Sequence, residues 1–390
     1  MLAGAGKAAI GLEGVLPFDG FDVVRDRLSI RAVVFQCPDE TRSCLLSIDA
    51  TSMRDDAAVR AEAAHTVGCD AEAVWVTVTH TFSAPHVRTP EHLADDAERA
   101  RNLLLAECLV KAAHAACLAA MEDLAPAHIE CARGRCSVNA NRDVETPEGW
   151  WLGINPDGFS DRSLRVMRII SADRLQCAIA TLYTADVQPS VVQGLRDAGG
   201  GVMVSADLAG ETSRLLEERL GGVAIFLVGA AGNQSPRAKG FEALPELGRI
   251  LAAEVEAALA GAEPVRAEHV ELSRLTVSCP AQQRVDFHSL APSRSFEFVP
   301  KGTTTTTLSV ARIGELTVVG VEPEVDSVFG ARMRAAMPAP FELLTMVNGA
   351  RKYLPSSEAY DRITYEAMNS EFARGADEVL ASAILNLVKE

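Results

Sequence analysis

The sequence predicts an α/β protein, and three observations carry that prediction. Apolar, β-branched runs alternate along the chain with Ala- and Leu-rich runs of helical period. Glycine and proline punctuate the joins. A chain of 390 residues, 48% hydrophobic and 23% charged, is long and apolar enough to bury a large core. No internal repeat and no clear boundary divides it.

Three strands open the pattern: "AVVFQC" from Ala32, "CLLSIDA" from Cys44 and "AVWVTVTH" from Ala73. From Glu91 a long helix, or a helix pair, runs until it stops before Pro126. "SADLAGETSRLLEERLGG" is a helix with a Gly-Gly stop at Gly221, and "VAIFLVG" after it is a buried strand. "ELGRILAAEVEAALAG" is a further amphipathic helix. "HSLAPSRSFEFVPKGTTTTTLSV" passes from a polar loop into an exposed Thr-rich β segment, because threonine suits strands. A strand beginning near Leu316 closes at Glu324, and "FARGADEVLASAILNLVKE" is a C-terminal helix.

The formal net charge of −16 argues against nucleic acid as a partner, since phosphate contacts need clustered Lys and Arg. It argues equally against stable association with an anionic membrane. The nine cysteines are scattered and form no CxxC pair. With an opening, "MLAGAGKAAIGLEG", that has no apolar secretory core, they predict a cytoplasmic protein with buried free thiols. No uninterrupted apolar run is expected to span a bilayer. A homo-oligomer is left open.

Five segments carry groups capable of chemistry. In "VTHTFSAPH", His80 stands at the mouth of a buried strand, where α/β proteins place functional groups. It reads as a metal ligand or as a hydrogen-bonded structural histidine. In "FLVGAAGNQSPR", a strand runs into a small-residue turn presenting Ser235; Gly229 and Gly232 permit exposed N–H groups suited to an oxyanion. The segment lacks the GxSxG elbow. "VNANRDVETPEGWWLGINPDG" offers Arg142 as an anion clamp, with Trp150 and Trp151 as pocket walls. "VVGVEPEV" offers Glu324 as a ligand, a general base or a helix cap. Three of the four tyrosines, Tyr353, Tyr360 and Tyr365, fall within thirteen residues in the last segment.

Read in order, these segments resemble the catalytic domain of the neutral/alkaline ceramidase family, zinc-dependent amidases that cleave an N-acyl bond. "GAGKAAI" resembles the family's "GxGKxDITP", and "VTHTFSAP" resembles "SHTHSGP". "VNANRD" and "INPDGFSDRSLRVMRI" resemble its "NRSP … NP … D…LR" run. "ATLYTADVQPSVV" resembles "xxFAVHPTSL", and "VSADLAG" with "FLVGAAGNQSPR" resembles "SADYPG … FLQGAAGDVSPN". "VGVEPEV" resembles "xxVPGEF", and "NGARKYLPSSEAYDRITYE" resembles "NDYxGYVTTPEEYxxxxYE".

The resemblance implies mixed β-sheets flanked by helices, with residues 1–390 as one such catalytic domain and no C-terminal β-sandwich domain. It also implies a zinc site of two histidines, a glutamate and a tyrosine. The first histidine falls on His80, the glutamate on Glu324 and the tyrosine on Tyr353. The second histidine is replaced by Gln188, and Phe82 stands where the family has a further histidine. Ser235, Arg142 and Tyr365 take the catalytic positions. An amide is a poor zinc ligand beside imidazole. Period two along "YTADVQP" offers Asp186 as a replacement carboxylate.

The expected function is therefore hydrolysis of a non-peptide amide bond in a small soluble N-acyl substrate, through water activated by a divalent ion, most simply zinc. A metal-independent enzyme of another reaction type and a non-catalytic binding protein stay open.

Overall fold

A computed structural model describes residues 1–174 and 177–387. The C-terminal helix runs Ala376–Leu387, and the remainder of the expected helix, 388–390, lies outside the described residues.

The chain forms four layers: helices, a large sheet, a smaller sheet, helices. The large sheet has nine strands. In spatial order they are Val223–Val228, Ala178–Ala185, Ser163–Ser171, Ala125–Arg135, Leu2–Ala9, Ser29–Gln36, Arg42–Ile48 and Val74–Val78, with Glu263–Val265 pairing beside Ala125–Arg135. Its two ends are parallel pairs, 42–48 with 74–78 and 178–185 with 223–228. The pairings between them are antiparallel. The smaller sheet holds Val270–Gln282, Pro300–Ile313, Leu316–Val321 and Phe341–Thr345, the last two parallel. The sheets are mixed, as the resemblance implied.

Strand periodicity explains the layers. Successive side chains point to opposite faces, so a strand buried on both sides reads as an unbroken apolar run. Val33 and Phe35 face the smaller sheet, whereas Ala32 and Val34 face the helices Ala57–Val67 and Asp96–Glu122. Across the gap, Leu316 and Val318 meet the large sheet, while Val319 and Val321 meet the helices Ser327–Ala336 and Ala376–Leu387. A fourth core packs Asp207–Leu220 and Ala243–Leu259 over Val166, Tyr183 and Phe226.

The long helix begins at Asp96 rather than Glu91. Asp95 accepts the Glu98 amide at 2.8 Å, and the Glu98 carboxylate accepts the Ala94 amide at 2.8 Å, a reciprocal cap that fixes the start. This helix corrects one expectation: by length and composition it is apolar enough to cross a membrane. In the fold it lays Leu105, Leu109, Ala113, Ala116 and Ala120 on the large sheet. Its small residues let the sheet approach closely: a Cβ on Gly6 would stand 2.1 Å from the Ala116 carbonyl oxygen. The Thr-rich segment is a strand, with its leading end, Pro300–Thr303, exposed.

Candidate active site

Loops leaving the C-terminal ends of parallel-paired strands supply the site, the position α/β sheets favour for ligands. Thr51 follows Arg42–Ile48, His80 follows Val74–Val78, and Gln188 follows Ala178–Ala185. Ser235 follows Val223–Val228, and Glu324 follows Leu316–Val321. The loops are tied together. The Phe82 amide donates to the Pro189 carbonyl at 3.0 Å, and the Gly232 amide donates to the Val325 carbonyl at 2.9 Å. The glycine is required there, since a Cβ at 232 would stand 2.9 Å from that carbonyl oxygen. Asp207 accepts the Val191 and Val192 amides at 2.9 Å each, anchoring the loop that carries Gln188.

His80 is buried at φ 62°, the left-handed region that non-glycine residues occupy only when the surroundings demand it. Its Nδ1 lies 2.5 Å from the Thr51 carbonyl oxygen. A carbonyl can only accept, so Nδ1 carries the proton. Nε2 is 3.0 Å from Glu324 Oε2. Burial alone would raise the Glu324 carboxyl, but His80, Arg142 and Lys352 outweigh it and hold the group below its ordinary value. An imidazole lone pair and a carboxylate oxygen at this distance are two acceptors facing each other. A buried pair of that kind needs a cation between its members, a proton or a metal ion.

Gln188 stands beside the pair. Its Oε1 accepts from Arg142 Nη1 at 2.7 Å, and its Nε2 donates to Glu324 Oε2 at 3.1 Å. Guanidinium only donates, so the amide orientation follows. Gln188 therefore turns toward Glu324 a nitrogen with no lone pair, and it does not fit as a metal ligand. Tyr353 stands beside Glu324: the two pair across the parallel strands Pro323–Val325 and Arg351–Leu354. Burial and the Glu324 charge push its phenol well above its ordinary value. His80, Glu324 and Tyr353 supply the imidazole, carboxylate and phenol that a divalent ion accepts.

Arg142 leans on Tyr353, its guanidinium 5.3 Å from the ring centroid. Its other contacts are Gln188 and Glu366, the latter through Nε at 2.7 Å and Nη2 at 2.6 Å. Burial and the neighbouring Glu366 push the Asp143 carboxyl well above its ordinary value. Arg142 is buried against these groups, with its Nη2 left without a well-aligned hydrogen-bond partner. Half-buried Tyr365 edges onto Trp151 at 5.4 Å and Tyr353 at 5.9 Å, and its phenol oxygen accepts from Asn369 Nδ2 at 3.0 Å. Ser235 is buried on the short strand Gln234–Pro236, opposite Ala140 on the strand that carries Arg142. Its hydroxyl has only one distant contact, the Pro236 carbonyl at 3.5 Å.

Two further sequence expectations are corrected. Asp186 does not join the site. The strand ends at Ala185, so period two no longer governs residues 186–188. Asp186 instead accepts from Arg334 at 2.5 and 3.0 Å and from the Ala230 amide at 2.8 Å. Among the described residues, no third His, Cys, Asp or Glu ligand atom lies within 4.8 Å of both His80 and Glu324. The second correction concerns the turn glycines. The Gly229 and Gly232 amides donate to the carbonyls of Ala185 and Val325, so neither is free for an oxyanion.

Sequence reasoning missed Thr51, Asp143, Lys352 and Glu366. Two carried a signal: Asp143 directly follows Arg142 in "NRD", and Glu366 directly follows Tyr365 in "TYE".

No family model and no curated protein matches the sequence. Solved structures do match. A ceramidase complexed with C2 superposes with a TM-score of 0.75 at 17% identity, covering 99% of this chain and 74% of that one. The neutral ceramidase from Pseudomonas aeruginosa gives 0.74 at 16% identity, with the same coverage. At this identity the likeness speaks to architecture, and it runs the length of the chain: the protein has the neutral-ceramidase fold.

Proposed function

We propose that the protein is a hydrolase of a non-peptide amide bond in a small soluble N-acyl substrate, with a divalent ion held by His80, Glu324 and Tyr353. The observation that carries this reading is the buried acceptor pair, His80 Nε2 against Glu324 Oε2 at 3.0 Å. The likeness to ceramidases, which are amide hydrolases, supports the reaction class. A bound divalent ion would supply an acidified water and a polarised carbonyl.

The chain's own residues do the rest. The Thr51 carbonyl fixes the His80 tautomer and aims Nε2 at the centre of the site. Gln188, braced by Arg142, holds the Glu324 carboxylate in place. The free hydroxyl of Ser235 and the phenol of Tyr365 donate hydrogen bonds to the oxygen that gains charge as the carbonyl becomes tetrahedral.

The substrate we propose carries an anionic group. Lys352 and Arg284 are close enough to each other and to Arg54 for their charges to interact, and Lys352 also feels Glu324. Burial lowers Lys352 and Arg284 from their ordinary values. Lys352, next to Tyr353 in sequence, brings this cluster of cations near Glu324 in a protein whose formal net charge is −16. The proposed setting is cytoplasmic, in keeping with nine free cysteines.

The test is chelation. Hydrolysis of N-acyl carboxylates should fall on removing metal and return with zinc or manganese. A second reading replaces the ion with a proton between His80 and Glu324; the Gln188 amide hydrogen directed at Glu324 favours it. Activity unchanged by chelation selects that reading, and binding of acyl compounds without turnover rejects both.

A further inference from the structure

The far end of the strand Arg42–Ile48 carries a second constellation. One end leads to Thr51 and the site above. The other begins at the hairpin turn "CPDET", residues 37–41, which joins it to Ser29–Gln36. There Cys37, Asp39 and His269 each offer a ligand atom, and the three atoms lie within 4.8 Å of one another. No other His, Cys, Asp or Glu trio among the described residues meets that condition.

The three come from separate places. Cys37 directly follows the strand Ser29–Gln36 of the large sheet, Asp39 sits in the turn, and His269 directly precedes Val270–Gln282 of the smaller sheet. Each is held. The turn is closed by the Cys37 amide on the Thr41 carbonyl at 2.9 Å and the Glu40 amide on the Cys37 carbonyl at 3.0 Å. The Asp39 carboxylate accepts the Thr41 amide at 3.1 Å and the Thr41 hydroxyl at 2.7 Å, both through Oδ1, leaving Oδ2 for another partner. Cys37 Sγ, buried, accepts the Val270 amide at 3.3 Å, which fixes the sulfur beside the first strand of the smaller sheet.

We infer that Cys37, Asp39 and His269 form a metal site for zinc or a similar thiophilic divalent ion, which staples the hairpin of the large sheet to the leading strand of the smaller one. A thiolate, an imidazole and a carboxylate are the donors zinc accepts in tetrahedral sites, with water in the remaining position. The site stands apart from His80 and Glu324 at the opposite end of a strand, and it does not depend on the proposed hydrolase activity.

Cobalt(II) is the probe. The full chain, stripped with chelator and titrated with cobalt, should develop a near-ultraviolet sulfur-to-metal charge-transfer band that saturates at one ion per chain and is displaced by zinc. The band should vanish in Cys37→Ser. In His269→Ala, an exposed substitution that spares the core, cobalt binding should weaken roughly tenfold or more, the loss seen even when an outer-shell partner is removed. Zinc should raise the melting temperature of Glu324→Gln, and that rise should be lost when Cys37→Ser is added to it. A band that persists in Cys37→Ser, cobalt affinity unchanged in His269→Ala, or no thiolate band in the wild type would each overturn the proposal.

Discussion

Arg142 and Arg334 each sit in a buried knot of carboxylates, and the knots differ in what they leave over. Arg334 holds Asp186 through two hydrogen bonds and Asp161 through a third at 2.6 Å, and the Ala230 amide completes Asp186. Asp186 finds every donor it needs within the protein. Arg142 instead holds Glu366 and Gln188, and Gln188 passes the contact on to Glu324, whose carboxylate faces the His80 lone pair. The comparison separates two uses of buried charge. A carboxylate whose donors all come from within the protein, as Asp186's do, ties loops together. A knot that ends on His80 Nε2 facing Glu324 Oε2 needs a cation, a proton or a metal ion, to complete it.

The sharpest way to break the comparison is to remove the guanidinium from the closed knot. Arg334→Met leaves Asp186 buried without its partner and should cost about 3–5 kcal/mol in urea unfolding. A loss below about 1 kcal/mol would show that the knot does not hold the fold.

Glu342, near Arg334 and Arg165, tests the same knot by pH. Burial pushes its carboxyl up to about 7, against the attraction of those two arginines. Below the ordinary glutamate value the group is protonated in both folded and unfolded chains. As pH rises from there to about 7, the unfolded chain ionises first, and the wild type loses stability relative to Glu342→Gln. The variant should be more stable by about 3 kcal/mol at pH 8, with the difference vanishing near pH 4.5. Denaturant midpoints at the two pH values decide it; a gap independent of pH contradicts the assignment.

In the open knot, substitutions should cost chemistry more than stability. Tyr365→Phe should lower kcat on N-acyl substrates about a hundredfold while moving stability by less than about 1 kcal/mol. An unchanged kcat would remove Tyr365 from the reaction. The smallest expected effect is a gain. Gln188→His adds an imidazole where an amide nitrogen now points and should tighten zinc about tenfold by competition with a chelating dye. No gain would show that position 188 does not border the ion.

The elements were legible in the sequence because their signals are local. "AVVFQC", "VAIFLVG" and the Gly221 stop each announce themselves within a few residues. His80 and Glu324 were legible as candidates because each closes an apolar strand. The layer that each strand face enters was not legible, since a run buried on both sides gives no alternation to read. Partners across the chain were equally hidden. Arg142 finds Glu366 at a separation of 224 residues, and Asp186 finds Arg334 at 148. The Asp186 expectation failed for a physical reason: the strand geometry that justified period two stops one residue earlier.

The most direct measurement is the metal content per chain of wild type and Glu324→Gln, purified side by side without chelators and compared by elemental analysis. The account predicts one ion fewer in the variant, whatever the Cys37 site contributes to both. Equal content in the two proteins would contradict it and leave a proton as the cation between His80 and Glu324.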